Sequence, residues 1–194
     1  MSALAAPTDS APTWSLPSKG RVGMACLILT ESSFFGIFVV AHLFYLGKDL
    51  NGPYVDVLQA PLLASVCLLS SSLTIVLATR ALARGSRGGF LLWWAATIAL
   101  GLEFLTATSF EWLDLISKGL TIRSNLLGTT YYSLVGFHGL HVTFGLSMLT
   151  LVLVLGLVGH VRQEHAERCE ILSWYWHFVD AVWVVVFSVV YLIR

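Results

Sequence analysis

Seven side chains able to carry charge or bind a proton stand inside runs that are otherwise apolar: Glu31, His42, Glu103, His138, His141, His177 and Asp180. Glu31 lies nine residues into a run that begins at Val22, about 13 Å along a helix axis, with Phe35, Phe38 and His42 on much the same face. In hydrocarbon an ionisable group needs a partner, a neutral form or a functional reason, at about 2.5 kcal/mol or more on insertion scales. Two uses of Glu31 are open: proton handling or a regulatory contact, and a neutral acid hydrogen-bonded to a neighbouring helix.

His138 and His141, in FHGLHV, are three residues apart and share a helix face. Such a pair can begin a metal site, but copper or haem ligation would need more inward ligands, and only His42 and His177 remain in the spans. With no second histidine pair, no bound metal is expected and the histidines are read as hydrogen-bonding groups. His177 and Asp180 are also three apart and are expected to satisfy each other. Glu103 should meet His138 and His141 near the midplane, while Glu31, His177 and Asp180 share an inner layer. Glu111 and Trp112 fall where a span reaches the external interface, where an acid is solvated cheaply and tryptophan anchors.

The elements that must position these groups are five apolar spans, at about residues 22–46, 58–82, 90–113, 129–158 and 171–193. Residues 1–18 are rich in Ala, Pro, Ser and Thr, lack the basic start of a cleavable signal, and read as a flexible tail; residues 19–194 form one transmembrane domain. A GKDLNGP turn at 47–53 ends the first span. An odd number of spans puts the termini on opposite sides. Lys19, Arg21, Arg80, Arg84, Arg87, Arg162 and Arg168 then share the side of the tail, against Lys48, Lys118, Arg123 and Arg194 on the other. The positive-inside rule makes the N-terminus cytoplasmic and the C-terminus external. Ser70, Ser71, Ser72 and Thr74 in the second span, and Gly136, Gly139 and Gly145 in the fourth, are small enough for close helix approach.

Composition sets the solvent and removes whole function classes. Of 194 residues 57% are hydrophobic and 11% charged, so most of the chain belongs in lipid. Zero net charge provides no basic footprint for nucleic acid. Cys26, Cys67 and Cys169 are scattered, without a CxxC, and read as core fillers. A transport pathway calls for broken helices in matching halves, and no proline lies inside the spans after Pro61. A stand-alone metal or proton transporter would have to use His138, His141 and Glu103.

Four strings resemble subunit III of the haem-copper terminal oxidases, the cytochrome c oxidase family: TESSFFGIFVVAHLFY (30–45), LGLEFLTATSFEW (100–112), GTTYYSLVGFHGLHVTFG (128–145) and WYWHFVDAVWVVVFSVVYLIR (174–194). The likeness runs in order over about residues 20–194 and implies an all-α, five-helix polytopic protein of the bacterial cytoplasmic membrane. It also implies an accessory subunit without haem or copper of its own, those cofactors residing in partner subunits. The resemblance further implies packing against oxidase subunit I, with subunit II and other subunits nearby, structural phospholipids between the helices, and possible supercomplex membership. Glu31 matches the carboxyl that carbodiimides modify in the family, which is associated with support of proton uptake and durability of turnover. Arg80, Arg123, Trp174, Trp176 and Trp183 are then candidates for lipid head groups. Two positions depart from the pattern: Thr108 stands where the family usually has Gln, and Glu103 where it more often has an uncharged residue. The corresponding subunit of a quinol oxidase, where Asp often replaces Glu31, and the subunit-III-like protein of nitric oxide reductases are the neighbouring alternatives.

Overall fold

The computed structural model describes residues 17–46 and 60–193. Within them the chain is helical throughout: α1 (Lys19–Tyr45), α2 (Leu62–Ala83), α3 (Arg87–Ser117), α4 (Leu126–Leu157) and α5 (Ala166–Phe187). A 3-10 turn, Gln163–His165, leads into α5, and a π-helical turn, Ser188–Leu192, extends it. The shortest, α2 and α5, have 22 residues each, about 33 Å at 1.5 Å per residue, which matches a hydrocarbon core of about 30 Å. The five are long and apolar enough to cross a membrane, and side chains such as Leu29, Ile37, Leu63 and Phe110 turn outward, as lipid-facing residues do.

Start and stop signals are local and chemical. Ser18 Oγ accepts from Arg21 N–H, and Asn125 Oδ1 accepts from Gly128 N–H, capping α1 and α4. Three helices end in one motif, in which a glycine of positive φ turns the chain and the next N–H reaches back five residues. At α2 it is Gly85 with Ser86 N–H to Ala81 O, at α3 Gly119 with Leu120 N–H to Leu115 O, and at α4 Gly159 with His160 N–H to Leu155 O. The helices overrun the apolar stretches because their ends continue into polar sequence, so α3 reaches Ser117 and α5 begins at Ala166. The second helix starts at Leu62, directly after Pro61, whose ring nitrogen has no N–H to bond backward. The tail up to residue 16, the GKDLNGP turn and Arg194 lie outside the described residues.

α5 is the central and most buried helix, whereas α1 is peripheral, with only Phe35 and His42 buried. α2 and α3 form a hairpin, α2 also packs on α5, α3 packs on α4, and α1 lies across α4 and α5. Glycines and indoles set the spacing: a Cβ on Gly145 would come within 3.0 Å of the Trp176 ring, and one on Gly101 within 2.9 Å. Gly136 similarly receives the Trp112 ring, but Gly139 has no neighbour within 4 Å and faces away from the packing. Ser70 is also outside the interface, bonded to its own helix at Cys67 O. Only Cys169 fills the core; Cys26 is exposed and Cys67 half-buried.

Candidate functional site

The first polar cluster joins α1 to α4. His141 Nε2 lies 3.1 Å from Glu31 Oε2, and His141 Nδ1 lies 2.7 Å from Phe137 O, one turn back on its own helix. A backbone carbonyl only accepts, so Nδ1 carries a hydrogen and donates it. The contact between Nε2 and the carboxyl then requires one further proton. On the oxygen it gives a neutral acid donating to imidazole, and on the nitrogen an ion pair. Phe35 packs edge-on against the imidazole, at 4.9 Å between centroids, and Phe34 edge-on and Phe38 tilted against Phe137 wall one side. On the other side a cleft of about 370 Å³ opens between Leu27, Glu31, Leu140, His141, Phe144 and Tyr175. Tyr175 O–H donates to His141 O at 3.2 Å, tying α5 to the same turn. The spacing of α1 repeats on α4: eleven residues from Glu31, His42 Nδ1 lies 3.0 Å from the hydroxyl of Thr130, eleven residues before His141. The face of α1 bearing Glu31, Phe35, Phe38 and His42 is therefore the face laid on α4, with Phe35 and His42 buried.

The second cluster joins α2 to α5. Ser72 O–H donates to Asp180 Oδ2, and His177 Nδ1 lies 2.9 Å from the same hydroxyl oxygen. Ser72 has one hydrogen, given to the carboxylate, so His177 Nδ1–H is the donor in the second bond. On either side, Trp176 Nε1–H donates to Ser71 Oγ at 2.7 Å and Trp183 Nε1–H to Ser65 Oγ at 3.0 Å. Three serines of α2 thus receive one face of α5. In lipid, where apolar burial between helices gives little net drive, such bonds and close packing supply the specificity.

Residues 18–193 match the model of the family described as cytochrome c oxidase subunit III. The chain belongs to that family. It is 37% identical over 185 residues to the "Probable cytochrome c oxidase subunit 3" of Mycobacterium bovis (strain ATCC BAA-935 / AF2122/97), covering 92% of this chain and 90% of the relative. Identity to "Cytochrome c oxidase subunit 3" of Corynebacterium diphtheriae (strain ATCC 700971 / NCTC 13129 / Biotype gravis) is 34% over 184 residues, 92% and 90% of the two chains. The protein of that name in Bacillus subtilis (strain 168) is 40% identical over 131 residues, 67% of this chain and 63% of the relative. The chain is thus a multi-pass subunit of a respiratory oxidase complex, whose other subunits are its partners.

Against this family frame several sequence expectations change. The expected central layer does not form. His141 turns to Glu31, while His138 is fully buried between Trp183, stacked at 5.0 Å, and the edge of Phe104 at 5.7 Å. Three residues amount to 300° of helix, so the two imidazoles diverge by about 60° and serve different neighbours. Glu103 follows the same logic: Phe104 takes the inward position, which leaves Glu103 half-buried and apart from both histidines. The three residues that a transporter would have needed do not converge. Among the described residues no three His, Cys, Asp or Glu side chains are placed to hold a metal ion.

His177 and Asp180 meet through Ser72 and not directly, since both project toward α2 and the serine lies between them. The inner polar layer is accordingly two separate clusters, Glu31 with His141 and Ser72 with His177 and Asp180. Glu111 is not a freely solvated interfacial acid. Its Oε1 accepts from Tyr191 O–H at 2.8 Å and from Tyr131 O–H at 3.4 Å. Trp112, half-buried, packs edge-on against Tyr132 at 5.3 Å. Trp176 and Trp183, each 1% exposed, are core residues and drop out as lipid head-group candidates. Arg80 and Arg123 are exposed, and Trp174 is half-buried beneath the Arg21 guanidinium at 5.8 Å. Sequence reasoning missed Ser65, Ser71 and Ser72 as bonding partners, and Tyr131, Tyr175 and Tyr191 altogether. The available signal was a tyrosine inside an apolar span, whose hydroxyl must find a partner when buried.

Proposed function

We propose that this chain is the accessory subunit III of a bacterial cytochrome c oxidase, without a redox centre of its own, which stabilises subunit I and supports proton uptake and lipid packing while the complex reduces dioxygen to water. The Glu31–His141 contact carries the reading: it holds a single exchangeable proton beside an apolar-walled cleft of about 370 Å³. The shared proton can pass between carboxyl and imidazole while the pair stays neutral overall, and its departure to a third group leaves one negative charge on the pair; Leu27, Leu140 and Phe144 line the cleft beside it, apolar side chains that suit an acyl chain. Subunit I is the direct packing partner in this reading, with subunit II and phospholipids completing the surroundings. The N-terminal end of α1 is cytoplasmic, in the inner membrane, on the distribution of lysine and arginine between the helix ends. Arg80, Trp174 and, at the opposite end, Arg123 are the side chains available to head groups. Cytochrome c is favoured over quinol as donor by Glu31 and by the names of the relatives.

The test is Glu31→Gln in the assembled oxidase. Haem content should match the wild type, because the amide keeps the shape of the contact, while the rate or durability of turnover changes because the shared proton is lost. Wild-type rate and durability would assign the carboxyl to packing alone.

A further inference from the structure

His138 and Thr108 are buried side chains whose polar atoms are all without partners among the described residues. Both ring nitrogens of His138, at 0% exposure, and the Thr108 hydroxyl, at 7%, lack a hydrogen-bond partner among the described residues. A neutral imidazole always presents one donor and one acceptor, and hydrocarbon surroundings offer nothing to either. Thr108 is unusual on its own helix. Thr106 and Ser109 beside it donate back to Glu103 O and Leu105 O, the ordinary resting place of a helical hydroxyl, whereas the Thr108 hydroxyl does not.

His138 packs on Phe104 of α3 and Trp183 of α5, and Thr108 is buried one turn along α3 from that same Phe104. α3, α4 and α5 each contribute to two stacked layers: Phe104, His138 and Trp183 in one, and Glu111, Tyr131 and Tyr191 in the other. Along α3 these layers are seven residues apart, about 10 Å, and Thr108 lies between them, about 6 Å of helix rise from Phe104 and about 4.5 Å from Glu111. The outer layer is reachable from outside the bundle: Glu111 lines a pocket of about 330 Å³ with Ala60, Pro61, Ala107, Phe110, Asp114 and Leu115. The π-helical turn Ser188–Leu192 brings Tyr191 to Glu111 at this level, a local irregularity of the kind that collects at functional positions.

We propose that the α3–α4–α5 junction is an internal hydration site, in which about one or two ordered waters bind between His138 and Thr108 and join them to the Glu111–Tyr131–Tyr191 carboxyl cluster. Water is the ligand whose chemistry fits. It both donates and accepts, as imidazole and hydroxyl require, and buried waters bind where two or more polar groups converge. The resulting polar track runs about 10 Å into the bundle from the Glu111 pocket and holds His138 in one orientation by bonds to solvent.

A density map of the intact oxidase complex at a resolution that shows ordered waters tests this without perturbation. The expected result is a water peak within hydrogen-bond distance of Thr108 Oγ1 and of a His138 ring nitrogen. Thr108→Val, which keeps the shape and removes the hydroxyl, should abolish that peak, and Thr108→Ser should retain it. A dry junction with Thr108 bonded to Phe104 O would overturn the proposal. So would a water on His138 that survives Thr108→Val unchanged.

Discussion

Ser72→Ala is the substitution whose effect can be worked most fully from the geometry. The hydroxyl is the sole described link between His177 Nδ1 and Asp180 Oδ2, and Asp180 is 3% exposed with its other oxygen already unpartnered among the described residues. Removing it strands a buried carboxyl group and one ring nitrogen. An unsatisfied buried group costs about 1–3 kcal/mol, while hydrogen bonds between membrane helices reach at most about 1.7 kcal/mol in measured cycles. His177 is only half-buried and recovers part of its loss by turning outward. The expected loss is about 2 kcal/mol, roughly a 30-fold shift in an unfolding equilibrium. Equilibrium unfolding of the chain in mixed micelles measures it, with retention in the purified oxidase as a second readout. Ser70→Ala is the control, because Ser70 is exposed and bonds only to Cys67 O, and should stay within about 0.5 kcal/mol of the wild type. In an Asp180→Leu background Ser72→Ala should cost less than half as much, since the acceptor is gone. Equal losses from Ser72→Ala and Ser70→Ala, or full additivity with Asp180→Leu, would refute the claim that Ser72 bridges the pair.

Two glycines of α4 offer a steric contrast. Gly145→Ala places a Cβ 3.0 Å from the ring of Trp176, which Ser71 holds by its Nε1–H, and should destabilise by about 1–3 kcal/mol in the same unfolding assay. Gly139→Ala meets nothing within 4 Å and should be neutral or stabilising by up to about 1 kcal/mol through helix propensity. Tyr191→Phe removes the closer of two donors to Glu111 and should lower stability by about 1 kcal/mol; Glu111→Gln, which keeps an acceptor oxygen for the phenol, should lose less. Asp180→Leu should reduce the yield of assembled complex by leaving the Ser72 hydroxyl, which links His177 to the carboxyl, without its acceptor; an undiminished yield would count against a structural role for the cluster.

Long apolar runs made the five helices legible, because a segment in hydrocarbon must satisfy its backbone internally and length alone then identifies it. The Glu31 face was legible too, since its four members recur at helical spacing and two of them, Phe35 and His42, are buried where α1 meets the bundle. Partner choice was not. Helices that are apolar nearly all round carry no directional signal, so nothing in the spacing of His138 and His141 tells that one turns to α1 and the other to α3 and α5. Tryptophan in a membrane segment has two homes, the interface and the core, and only the serines opposite decide between them. Trp176 and Trp183 found Ser71 and Ser65, whereas Trp174 lies under Arg21 near the basic end. Glu111 misled for a related reason: its neighbours in sequence, Trp112 and Asp114, suggest an interface, but its bonding partners come from helices twenty and eighty residues away.

The shared proton between Glu31 and His141 is tested most directly by counting the turnovers that the assembled oxidase completes before it inactivates, in wild type, Glu31→Gln, His141→Phe and the double variant. If the two groups act as one proton-holding unit beside the cleft, each single change shortens catalytic lifetime at unchanged haem content, and the double variant is no worse than the more affected single. Lifetimes equal to wild type in both single variants, or losses that simply multiply in the double, would contradict the account.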